Sequence, residues 1–129
     1  MKNDSRLRAK KFVFMQYLNP TYWNWESDKI TLFEDWQANK KEIFKYIYNS
    51  LKNMQGFEEI ALIVHNKDEK FNGSLKLPHI HGYISFDGKF DLERIARRLG
   101  LEPQYVEIAK GNRYAEINNK SYLVHAKNL

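Results

Sequence analysis

Aromatic and β-branched residues crowd positions 12–18, Phe-Val-Phe-Met-Gln-Tyr-Leu, and Asn19-Pro20 stops the run, so a strand is predicted there. Residues 1–11 before it are polar and basic and read as a frayed arm. Residues 28–36 and 40–53 are predicted helices. In the second, Ile43, Phe44, Ile47 and Leu51 recur at helical spacing, with Lys41, Lys45 and Lys52 off that stripe. Gln55-Gly56 ends it. Residues 57–66 are apolar nearly throughout and are predicted to be a central strand. A polar stretch, 67–77, carries the turn signal Asn72-Gly73.

The next strand, 79–86, alternates. His79, His81, Tyr83 and Ser85 share one face, and Ile80, Gly82, Ile84 and Phe86 the other. Such a strand belongs to a sheet with one packed face and one working face. Asp87-Gly88 reads as a turn. Asp91 is placed to N-cap a helix through Leu99, with Gly100 at C′. Leu92, Ile95 and Leu99 face inward and Arg94, Arg97 and Arg98 outward. Pro103 precedes a short strand, 104–109, and Gly111 opens a last helix through about Ala126 that bears Tyr122. The order β-α-β-β-α-β-α predicts an α+β fold. It is an antiparallel sheet with split β-α-β, ferredoxin-like topology, helices on one face, and a C-terminal helix carrying the tyrosine. Residues 1–129 read as one domain, excised from a longer protein if the chain continues beyond its last helix.

Composition narrows the function. With 129 residues there is room for one modest core, and 43% hydrophobic content suits a globular chain rather than disorder. No apolar run approaches the roughly 18 residues of a membrane span. The N-terminus lacks the apolar core of a signal peptide, so a cytoplasmic protein is expected. Cysteine is absent, which removes disulfides, thiolate ligands and a cysteine nucleophile. The net charge of +5 fits a polyanionic partner such as nucleic acid, though many small soluble proteins are mildly basic. Tyr22, Trp23 and Trp25 are expected in core or lid packing before base stacking.

The chain has four histidines, and three of them bear on one place. His79 and His81 sit two apart on a strand, which is half of a metal site. His65 lies at the exit of the preceding strand, with Asp68 three residues later. Three nitrogens and one oxygen suit Mn²⁺ or another divalent first-row ion; Mg²⁺ is compatible, and Zn²⁺ binds such a set too. A metal with open positions polarises a phosphoryl oxygen and then needs a nucleophile. Without cysteine, Tyr122 is a candidate. Its phenol has an ordinary pKa near 10, so the phenolate must be favoured by a nearby cation. Eight tyrosines make spacing alone a weak guide. Tyr114 is the rival, and it shares a helical stripe with Ile117, Ser121 and Val124.

Pro78-His79-Ile80-His81 followed by an apolar strand resembles the His-hydrophobic-His motif of HUH endonucleases. Ser121-Tyr122-Leu123-Val124-His125 resembles that family's single-tyrosine motif, in the form found in rolling-circle replication initiators of small plasmids of Gram-positive bacteria. His65-Asn66-Lys67-Asp68 resembles the His-x-x-Asp arrangement that completes their metal site, and residues 12–20 resemble their opening strand. The resemblance implies a bacterial enzyme that recognises a plasmid origin and nicks a single strand exposed in a hairpin. His65, Asp68, His79 and His81 hold Mn²⁺ or Mg²⁺ on the scissile phosphate. Tyr122 attacks, leaving a 5′-phosphotyrosine and a free 3′-OH that primes synthesis by host helicase and polymerase. Transesterification keeps the phosphodiester energy, and no Gly-rich phosphate loop is present. His125, Lys120 and Lys127 are placed to contact the phenol or phosphate, or to be solvated. A single-tyrosine transposase or a relaxase belongs to the same class, although relaxases place the tyrosine ahead of the histidines. From another class, a non-catalytic sheet binding single-stranded DNA or RNA would stack bases on Tyr83 and Tyr105.

Overall fold

The protein is seen in a computed structural model that describes residues 7–65 and 77–109, and the main chain of 122–125. Strands β1 (Arg8–Tyr17), β2 (Phe57–His65), β3 (His79–Asp91) and β4 (Val106–Ile108) form an antiparallel sheet in the order β2-β3-β1-β4. A short β5 (Tyr122–His125) pairs with the outer edge of β2. Helices α1 (Ser27–Ile30) and α2 (Lys40–Leu51) join β1 to β2, and α3 (Leu92–Leu99) joins β3 to β4. β3 therefore lies between β1 and β2, and β1 lies between β3 and β4, which makes two interlocked split β-α-β units.

The two faces of the sheet follow from the period of two. Phe12, Phe14, Ile60, Leu62, Ile80, Ile84 and Phe86 pack in one core with Ile43, Ile47 and Leu51 of α2 and Ile95 and Leu99 of α3. The intervening positions Val13, Ala61 and Tyr83 form a separate small cluster, joined by Ile63 and Ala109. Each large side chain taken fully out of water in the main core stabilises the fold by about 1.5–3 kcal/mol. α3 ends in a Schellman arrangement. Gly100 has φ +82°, its N–H reaches the Arg97 carbonyl at 3.1 Å, and the Leu101 N–H reaches that of Ala96 at 2.9 Å.

Gly82 is a packing requirement. It pairs across the sheet with Phe14, and a Cβ at position 82 would lie 2.1 Å from Phe14 Cε2 and 2.4 Å from Cζ. Phe14 is itself packed edge-on against Trp23 and is 3% exposed, so a shift of its ring disturbs the core. Gly82→Ala is expected to cost about 1–3 kcal/mol through overpacking. In thermal unfolding this reads as a fall in Tm of about 5–10 °C; an unchanged Tm would show that Phe14 repacks freely.

Several predicted boundaries move, each for a non-local reason. The basic arm is paired from Arg8 onward, because β3 runs on through Asp91 and offers it a partner. The Asp87-Gly88 turn signal is absorbed as an irregularity inside β3, between the Lys11–Ser85 and Ala9–Phe90 pairs. Asp91 holds the N-cap position of α3 without making a side-chain cap bond; its carboxylate faces Arg8 Nε at 3.1 Å. The helix predicted over 28–36 is one α turn followed by a 3₁₀ segment, Thr31–Asp35, with only Phe33 buried in the latter. A single buried side chain gives no stripe for a long helix to bury. The strand predicted over 104–109 shortens to Val106–Ile108, since Pro103 starts a 3₁₀ turn through Tyr105. The C-terminal helix expected to carry Tyr122 is not formed there: Tyr122–His125 is strand β5, hydrogen-bonded to the edge of β2. An aromatic and β-branched tetrapeptide beside an open edge favours the ladder. The earlier part of that predicted helix, 111–121, with Tyr114 and Lys120, lies outside the described residues, as do Lys127 and the Asn72-Gly73 turn. Among the described residues no helix is long and apolar enough to cross a membrane.

Candidate metal centre

β2 and β3 are antiparallel neighbours, and their register sets His65 opposite His79 and Ile63 opposite His81. Directly opposed residues in such a pair share a face. That face carries Val13, Ala61 and Tyr83, not the helix-packed core, so the imidazoles project from the side that carries no helix among the described residues. The three rings close into a triangle. Ring centroids are 5.4 Å apart for His65–His79, 4.7 Å for His65–His81 and 5.0 Å for His79–His81. One ring nitrogen from each lies within 4.8 Å of the others.

Local contacts orient the cluster. His79 is 1% exposed, and its Nδ1 lies 2.8 Å from the Leu77 carbonyl. A carbonyl only accepts, so Nδ1 carries the hydrogen and the lone pair resides on Nε2. Proteins fix a ligating imidazole by this kind of bond on its far nitrogen. Tyr17 pairs with His79 across β1–β3 and presents its ring edge-on at 6.3 Å. The Leu18 N–H donates to the Pro78 carbonyl at 3.0 Å, which pins the end of β1 to the start of β3. His65 and His81 are half-buried, so the cluster has a solvent side.

The donor set fits a divalent metal. Imidazole bonds of about 2.0–2.1 Å at tetrahedral angles put ligand nitrogens about 3.4 Å apart. The observed nitrogens lie within 4.8 Å of one another, somewhat wider than that. Three imidazole nitrogens on adjacent strands, one with its tautomer set, supply three of the four or more ligands a divalent ion takes. A structural pair of histidines, each satisfied by backbone, would not require a third ring in the triangle.

Of the residues singled out in the sequence, His65, His79 and His81 are brought together. Asp68 lies outside the described residues. The main chain of Tyr122 is opposite Leu62, and that of His125 is opposite Glu59. Leu62 belongs to the helix-side core and is about 10 Å along β2 from His65. Arg94, Arg97 and Arg98 lie on α3, whose buried side packs in the helix-side core; Arg94 sits over the Phe90 ring at 5.3 Å. They are thus on the opposite side of the sheet from the imidazoles. Trp23 and Trp25 are core residues, and their indole N–H groups donate to the Tyr17 and Leu99 carbonyls at 2.8 and 2.9 Å. Tyr46 packs against Trp25 at 4.4 Å. Burial first, then Glu26 and Asp28, pushes its phenol pKa up, which makes it a poor nucleophile. Tyr83 is 1% exposed and cannot stack an incoming base. Tyr17 is the site neighbour that sequence reasoning missed. Its only signal is strand register, since it sits sixty-two positions before His79.

No protein-family model matches the chain, and no curated protein matches it significantly.

Proposed function

We propose that the protein is a metal-dependent DNA nicking and joining enzyme of the rolling-circle initiator type, acting on single-stranded DNA at a plasmid origin. The observation that carries the reading is the His65–His79–His81 triangle on the face away from α2 and α3, built from the His-x-His strand and the strand exit before it. His65, His79 and His81 hold the metal, and Asp68 adds an oxygen ligand from the segment that follows β2. Three imidazoles favour Mn²⁺ over Mg²⁺, which prefers all-oxygen surroundings. A divalent ion bound there supplies Lewis-acid polarisation of a phosphoryl oxygen.

Tyr122 is the proposed nucleophile. Its phenol oxygen forms a bond to phosphorus as the bond from phosphorus to the 3′ oxygen breaks. The phenol proton is lost and the leaving 3′ oxygen gains one. The product is a 5′-phosphotyrosine and a free 3′-OH, and reversal with another 3′-OH joins strands. The basic balance of the chain, 21 lysines and arginines against 16 acidic residues, favours a DNA partner. The rival reading of a non-catalytic stacking sheet loses Tyr83, which is buried, and leaves the histidine triangle without a role.

The test is a denaturing gel of end-labelled single-stranded oligonucleotides tiled from plasmid origins, with Mn²⁺ or with EDTA. A labelled fragment bound to protein is expected with Mn²⁺ and none with EDTA. Strand binding that is indifferent to chelator, with no cleavage of any origin, would favour the non-catalytic module.

A further inference from the structure

Beyond the imidazoles, a series of aromatic rings leads away from the site across the end of the sheet. His79 meets Tyr17 at 6.3 Å, Tyr17 meets Tyr22 at 5.7 Å, and Tyr22 meets Tyr105 at 6.4 Å. These pairs are inclined at 82°, 51° and 81°, edge-to-face or tilted rather than stacked face to face. Tyr22 is 39% exposed, one of three large hydrophobic residues that stand out from the surface among the described residues. We propose that Tyr22, flanked by Tyr17 and Tyr105, is a stacking platform for a base of the single-stranded DNA that runs from the metal centre. This rests on the nicking reading above.

The platform is preorganised. Tyr22 and Tyr105 each close a 3₁₀ turn that begins with proline, Pro20–Tyr22 and Pro103–Tyr105. Asn19 Oδ1 accepts from the Thr21 N–H at 2.9 Å, which fixes the first turn. The next residue, Trp23, is buried, stacks on Phe33 at 5.3 Å and bonds the Tyr17 carbonyl. An aromatic held by its neighbours loses little conformational entropy when a base covers it. Tyr17 ties the platform to the metal centre through His79, so one strand can engage both. The chain's net charge of +5 suits the phosphate backbone of such a strand, whereas the platform itself reads bases by their faces and tolerates sequence.

The experiment is fluorescence anisotropy of a fluorescein-labelled oligothymidylate in EDTA, with the full chain. Compared are wild type, Tyr22→Ala, Tyr22→Phe and Tyr22→Trp. Tyr22→Ala is expected to weaken binding about 5- to 100-fold, while Phe and Trp retain it to within about threefold. The slope of log Kd against log salt should not change, because no phosphate contact is removed. An abasic strand should bind wild type as weakly as oligothymidylate binds Tyr22→Ala. Equal binding by wild type and Tyr22→Ala would overturn the platform and leave the nicking reading intact. A wild type that binds no oligothymidylate would overturn the platform, while the cleavage gel with origin strands and Mn²⁺ still decides the nicking reading. An altered salt slope in Tyr22→Ala would also overturn it, by assigning a charge contact instead.

Discussion

Tyr122→Phe is expected to form no protein-linked DNA at all, with strand cleavage lowered by at least about a thousandfold. Removing the attacking atom of a covalent mechanism leaves only the catalysis supplied by binding and electrostatics, and losses of that size or larger are usual. The substitution removes one hydroxyl group, and a matching thermal unfolding curve shows that folding is kept. The result is informative because β5 pairs the main chain of Tyr122 with Leu62 of β2, the strand that ends in His65. Cleavage without an adduct in Tyr122→Phe would make water the nucleophile; a persistent adduct would assign another tyrosine.

His81→Ala is expected to lower metal affinity at least about a hundredfold and to abolish cleavage with it. Loss of a group that merely orients a ligand costs 10- to 100-fold in comparable sites, and a direct ligand counts for more. His81 suits this test better than His79. It is half-buried, whereas His79 is 1% exposed and its imidazole is bonded to the Leu77 carbonyl, so truncation there also disturbs packing. Isothermal titration with Mn²⁺, alongside the cleavage gel, reads both effects. Unchanged affinity in His81→Ala would remove that ring from the site.

The features legible in sequence are those with a local cause. The stripe of Ile43, Ile47 and Leu51 marks α2, and Gly100 marks the end of α3 by the left-handed conformation it adopts. The period of two along β3 is enough to place His79 and His81 on one face. His65 is different. Its position in the cluster depends on the β2–β3 register, which pairs it with His79 across a connection of thirteen residues. Sequence shows it only at a strand exit, near enough to be a candidate. Non-local pairing also explains the elements that differ from expectation. Nothing within residues 1–11 says that Arg8 will meet Asp91, or that β3 will continue past Asp87-Gly88 to receive it. Tyr122–His125 is too short for periodicity to separate helix from strand, and the open edge of β2 decides it. The tyrosine platform is scattered over Tyr17, Tyr22 and Tyr105, and only the meeting of β1 with two 3₁₀ turns makes it one surface.

The proposed chemistry depends on His65, His79 and His81 forming one divalent-metal centre. Electron paramagnetic resonance can follow the signal of free Mn²⁺ as the ion is added to chelator-stripped protein. The signal is expected to stay suppressed until one equivalent has been added, and in His81→Ala to stand at full strength from the first addition. A free-ion signal identical for wild type, His81→Ala and buffer would contradict the metal centre, and the histidine triangle would then be a feature of packing rather than of chemistry.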